Sequence, residues 1–138
     1  MGAPLSYLQL ARRAGFVAVL SVVCNVLLTV IGKAISNPPA TFGPYQYSSV
    51  IGLTLAGVAA AALVYAAMRW YLVDVAKTNR YFLWLSAVVL IASFYPDVTM
   101  PWSNDPDQIG WTYGIIANLM LMHVIAGFAV MYFYTRPE

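Results

Sequence analysis

Four apolar runs, each close to twenty residues long and separated by short polar connectors, leave this chain few ways to fold. They occupy residues 15–35, 47–70, 81–100 and 112–134. An α-helix rises about 1.5 Å per residue, so such a run crosses the roughly 30 Å hydrocarbon core of a bilayer with its backbone polar groups paired internally. Of 138 residues, 62% are hydrophobic and 9% charged, and seven basic plus five acidic side chains cannot cover a soluble surface of this size. The expectation is an all-α protein, a single integral membrane domain over residues 1–138, folded as a four-transmembrane-helix bundle.

Orientation follows from the basic residues. Arg12 and Arg13 precede the first run, Arg69, Lys77 and Arg80 surround the second connector, and Arg136 follows the fourth run. Lys33 alone lies toward the opposite side, and the connectors 36–46 and 101–111 contain no Lys or Arg. The positive-inside bias therefore places both the N and C termini in the cytoplasm. The first run is longer than a signal-peptide core and is expected to stay as an anchor. Basic residues are scattered singly, which gives nucleic acid no patch to bind. The partners expected are the lipid bilayer and either further copies of the chain or a larger membrane complex.

Aromatic residues gather near the run boundaries, among them Tyr45, Tyr47, Trp70, Trp84, Trp102, Tyr113 and Tyr134. Amphipathic rings at these depths are expected to form interfacial belts. A lone cysteine, Cys24, excludes an internal disulfide and a Cys-x-x-Cys pair.

Polar residues inside the runs carry what chemistry the chain has. Ser21, Asn25, Thr29 and Lys33 recur every four residues and share one slowly winding helix face. Ser86, Ser93 and Asp97 share a face of the third run. Polar stripes are costly against lipid, so both should face the bundle interior. Counting residues from the run centres puts Lys33 roughly 12 Å and Asp97 roughly 10 Å toward the outer side, a matching depth at which they are expected to pair.

His123, the only histidine, stands at the centre of the fourth run in "LMLMHVIAGF". Asn25 is central in its own run, so a midplane hydrogen bond from His123 to Asn25, Ser21 or Ser93 is expected, with Gly127 leaving room beside the imidazole. Two roles stand open for His123: interhelical bonding, or proton relay and ligand contact. Haem ligation through His123, with Met120, Met122 or a symmetry-related copy supplying the second ligand, is a remoter reading, and otherwise no cofactor is expected. No metal site is expected either, since "NDPDQIG" lacks most of the ligand spacing of a calcium loop. Asn118 lies about 140° round the helix from His123 and should serve another face.

In the second run Gly52, Ala56 and Ala60 recur at four-residue spacing, with Gly57 and Ala61 beside them. Small residues let a neighbouring backbone approach, so this face builds either the monomer's core or a dimer.

Small multidrug transporters depend on a glutamate in the first span, whereas the one glutamate here is Glu138. Relatives of vitamin K epoxide reductase need cysteine pairs, and fluoride channels of similar length insert in both orientations. With its Pro-containing break in "SFYPDV" and its Met-His pair in "LMLMHVIAGF", the chain resembles a loose group of short four-helix prokaryotic integral membrane proteins. That resemblance covers the whole chain in layout, implies a multi-pass protein of the inner (cytoplasmic) membrane, and points to Asp97 and His123. Two functions follow as expectations. One is a non-enzymatic accessory or scaffold subunit. The other is a small-molecule binding or proton-coupled transport protein, with a cavity open to the outer side between spans one, three and four.

Overall fold

The computed structural model describes residues 6–72 and 74–136. Those residues form helices and short 3-10 turns, and four of the helical segments are long and apolar enough to cross a membrane. The first, α1 (Tyr7–Ser36), starts two turns before its apolar run. Arg12 and Arg13 interrupt hydropathy there but not the helix. Ser6 caps it reciprocally, its hydroxyl accepting from the Gln9 N–H while the Gln9 side chain accepts from the Ser6 N–H. At the far end Asn37 takes the left-handed conformation, φ 42°, and returns its N–H to the Lys33 carbonyl.

A connector held by the Gln46 side-chain amide, which donates to the Ala40 carbonyl at 2.6 Å, leads through a 3-10 turn at Gly43–Tyr45 into α2 (Tyr47–Tyr71). Next comes α3 (Val75–Ser93), which begins well before its apolar run because Asp74 caps it, accepting from the N–H groups of Ala76 and Lys77. The third span then breaks. Pro96 has no N–H to bond back into α3, so the chain restarts as α4 (Tyr95–Thr99) and a 3-10 turn at Met100–Trp102. The span as a whole runs Val75–Trp102. Finally α5 (Tyr113–Thr135) starts at Thr112, whose hydroxyl accepts from the Ile115 N–H.

In the packing, α1 lies against both α2 and α5, while α3 rests mainly on α5 and only loosely on α2. The start of α1 and the end of α5 meet at one end of the bundle, where Arg13 Nη1 donates to the carbonyls of Phe133 and Arg136. Leu10, Val17, Val58, Tyr65, Phe82, Val130 and Tyr134 form the core at that end. The opposite end packs Phe42, Tyr45, Met100, Ile115, Ile116, Leu119 and Met122.

Two expectations change here. Trp70, Trp84, Trp102 and Tyr113 are exposed as a belt requires, but Tyr45 and Tyr134 are fully buried. Each has found a polar partner for its hydroxyl inside: Tyr45 accepts from the Asn118 side chain, and Tyr134 donates to the Val58 carbonyl at 3.2 Å. The small-residue face of α2 is not the monomer's core, since Gly52, Ala56 and Ala60 are exposed and α2 turns Val50, Thr54, Val58 and Tyr65 inward.

A candidate binding cavity beside Asp97 and His123

The break after α3 brings the chain's one histidine to a carboxylate. α4 carries Asp97 into the bundle, α5 carries His123, and Nε2 of His123 lies 3.4 Å from Oδ2 of Asp97. Asp97 is buried and His123 is exposed along one side. Phe94, the residue at the break, sets its ring edge-on to the imidazole with centroids 6.4 Å apart.

Lys33 is therefore not the partner of Asp97. α3 and α4 pack on α5, which turns Asp97 toward His123, whereas the Lys33 ammonium sits over the Tyr47 ring, 4.3 Å from its centroid. The expected bonds from His123 to Asn25, Ser21 or Ser93 do not form either. Asn25 Nδ2 donates across to Thr54 Oγ1 on α2 at 2.9 Å, and Thr54 in turn donates to the Val50 carbonyl. Ser93 donates to the Leu90 carbonyl within its own helix, and Thr29 donates to the Asn25 carbonyl. Ser93 and Thr29 donate to backbone carbonyls of their own helices and Asn25 turns to α2, so none of them is directed at the imidazole.

Ser21, Asn25 and Thr29 are all buried, so the stripe on α1 does face inward. It is incompletely bonded: Asn25 Oδ1 and Ser21 Oγ are buried without a hydrogen-bond partner. Gly127 does not make room for the imidazole. A methyl group there would stand 3.1 Å from Leu90 Cδ1, so this glycine lets α5 approach α3.

Near the start of α5, Asn118 serves another face, as its angle from His123 requires. Asn118 Nδ2 donates to the Leu28 carbonyl at 3.0 Å and to the Tyr45 hydroxyl at 2.7 Å, on a face away from His123. Both contacts cross directly above Gly32, where a Cβ would strike the Tyr45 hydroxyl and Asn118 Nδ2. Burial pushes the Tyr45 phenol above its ordinary value, and the hydrogen bond from Asn118 partly opposes that. The signal in the sequence is Gly32 itself, a glycine still inside the helix and ahead of its cap at Asn37.

Because α3 leans on α5 and stands off α2, a cavity of about 850 Å³ opens between the three helices. Thr54, Gly57, Ala60 and Ala61 of α2 form one wall, Ser86, Val89 and Ser93 of α3 another, and His123, Ala126 and Gly127 of α5 the third. Asp97 lines it from α4, and α1 contributes Asn25. Phe82 closes one end, while Gly43, Pro44, Asp107 and Gln108 from the two long connectors border the other. The cavity thus lies among the second, third and fourth spans rather than the first, third and fourth. Leu53, Leu85 and Val89 line it and are also exposed, so the α2–α3 seam opens sideways as well.

Met122 packs into the core with Tyr45 and Ile115, and the third connector uses the Asp105 carboxylate to accept from the Asp107 N–H at 3.0 Å. Among the described residues no three His, Cys, Asp or Glu side chains come together as a metal-holding group. Compared with protein-family models, curated proteins and solved structures, the chain matches none.

Proposed function

We propose that this protein binds a small molecule within the membrane, in the cavity between α2, α3 and α5, for binding alone or for transport. The single observation behind this is the joining of that 850 Å³ cavity to the Asp97–His123 pair on its wall. Ligand sites are commonly concave and mostly apolar, with a few convergent polar groups that fix orientation. An ionisable pair at membrane depth is costly to keep unless it has work to do. The basic asymmetry supports cytoplasmic termini, with the connector-bordered mouth of the cavity facing outward, and the layout supports a prokaryotic inner membrane as its home.

Native mass spectrometry of protein extracted gently from its own membrane tests this reading. A non-covalent small molecule should travel with the wild type and be absent from Ala126→Leu, which fills the cavity from α5. Ligand-free wild-type protein, or retention by the filled variant, would refute it.

A second reading, the accessory or scaffold subunit, draws on the uncovered face Gly52, Ala56 and Ala60. Small-residue faces of this spacing suit close helix pairing in lipid, either with another copy or with a larger complex.

A further inference from the structure

We infer that the ligand is an amphiphilic organic cation, an apolar body carrying an amine whose N–H groups bond to Asp97. This rests on the binding reading above and adds the chemical class. The polar atoms of the cavity are biased toward acceptors. Asp97 Oδ2, Asn25 Oδ1 and Gln108 Oε1 all belong to residues that line it, and all three are buried with no donor. Asn25 is 5% exposed and Asp97 6%, so the cavity they line is the side from which a partner would reach them. His123 Nε2 stands 3.4 Å from Asp97 Oδ2 but makes no aligned hydrogen bond to it.

Charge points the same way. Asp97, Asp105 and Asp107 line the cavity, and among the described residues no Lys or Arg does, with His123 the sole basic group. An anionic head would pass Asp105 and Asp107 at the mouth and meet Asp97 inside, with no fixed cation to receive it. A neutral alcohol brings one donor, whereas an ammonium brings three and the complementary charge. A bare hard cation is a poor fit, because it seeks six or more oxygen ligands and most of the wall here is aliphatic. The body of the ligand is apolar for that same reason: Leu53, Val64, Leu85, Val89 and Val130 face the space beyond Asp97, with Phe82 at its end. Since Leu53, Leu85 and Val89 are exposed at the α2–α3 seam, the body reaches the cavity from the hydrocarbon side.

Three probes of one shape and different heads test the assignment: phenylbutylamine, phenylbutanol and phenylbutyrate. Each is titrated by calorimetry into the protein in lipid nanodiscs, with empty nanodiscs as the blank for partitioning. The amine should bind at least tenfold more tightly than the alcohol, and the carboxylate weakest. Asp97→Asn should bring the amine to the level of the alcohol, and Ala126→Leu should abolish saturable binding of all three. If Asp97→Asn does not fold, the order of the probes on the wild type decides. Equal binding of the three probes, or a preference for the carboxylate, with loss in Ala126→Leu, would overturn the cationic class and leave the binding cavity standing. No saturable binding by any probe would overturn both.

Discussion

Nε2 of His123 and Oδ2 of Asp97 lie 3.4 Å apart, joining α5 to the short helix that follows the break in the third span. Counting rise along straight helices puts the two at different depths, because it treats the third span as one rod centred within its apolar run. The span instead begins at Val75 and restarts at Tyr95, after a break that the following proline favours. An acid–base pair at the wall of a cavity is the outcome.

That contact should register as coupling. In a double-mutant cycle with Asp97→Asn and His123→Ala, unfolding in bicelles should give a coupling energy of about 0.5 to 1.5 kcal/mol. Additive effects of the two substitutions would mean the side chains do not interact in the membrane.

Gly32→Ala tests a close approach in the bundle. The added methyl collides with Tyr45 and Asn118, and overpacking of this kind costs about 1–3 kcal/mol. Because the Tyr45 hydroxyl is the nearest of the three atoms in the way, Tyr45→Phe should partly rescue it. A Gly32→Ala protein as stable as wild type, followed by thermal unfolding, would show that α1 and α5 are further apart than described.

Tyr45 also sets an alkaline limit. Its phenol is raised above 10.0 by burial, so the fold prefers the neutral form more than the unfolded chain does. Stability from this group is therefore complete below about pH 10 and is lost as pH climbs from there through the raised value. Tyr45→Phe should lose about 0.5–1.5 kcal/mol at neutral pH, with the Asn118 bond, yet decline less steeply above pH 10. Equal slopes for the two proteins in pH-dependent melting would place Tyr45 in water.

Two glycines should respond oppositely to leucine. At Gly127 the larger side chain must displace Leu90, which approaches within 3.1 Å of a Cβ, so α3 is pushed from α5 and the protein melts earlier. At Gly52 nothing lies within 4 Å, and the isolated chain should keep its stability within about 0.5 kcal/mol. If the second reading holds, Gly52→Leu nevertheless changes the oligomer seen by crosslinking, because it blocks the α2 face.

Much of the architecture is legible in the sequence, since hydropathy and helical rise suffice to find four helices long and apolar enough to cross a membrane, and periodicity suffices to turn Ser21, Asn25 and Thr29 inward. Helix ends were missed where caps override hydropathy, as Ser6 and Asp74 do. Partners were missed for a different reason. Which of several polar groups a side chain meets depends on which helices are neighbours, and nothing in the spacing of Asp97 says that α3 packs on α5. The buried Tyr45 and Tyr134 show the same limit: an aromatic near a span end suits the headgroup region until a buried acceptor or donor draws it in.

If the proposed binding role is right, the space between α2, α3 and α5 holds a ligand. A crystal structure of the protein grown from a lipid mesophase with phenylbutylamine present tests it most directly. Density is expected in the cavity with its polar end within hydrogen-bond distance of Asp97 and its body between Val89 and Ala126. Collapse of the α2–α3 seam, with Leu53 and Leu85 packed together and no space beside His123, would contradict it.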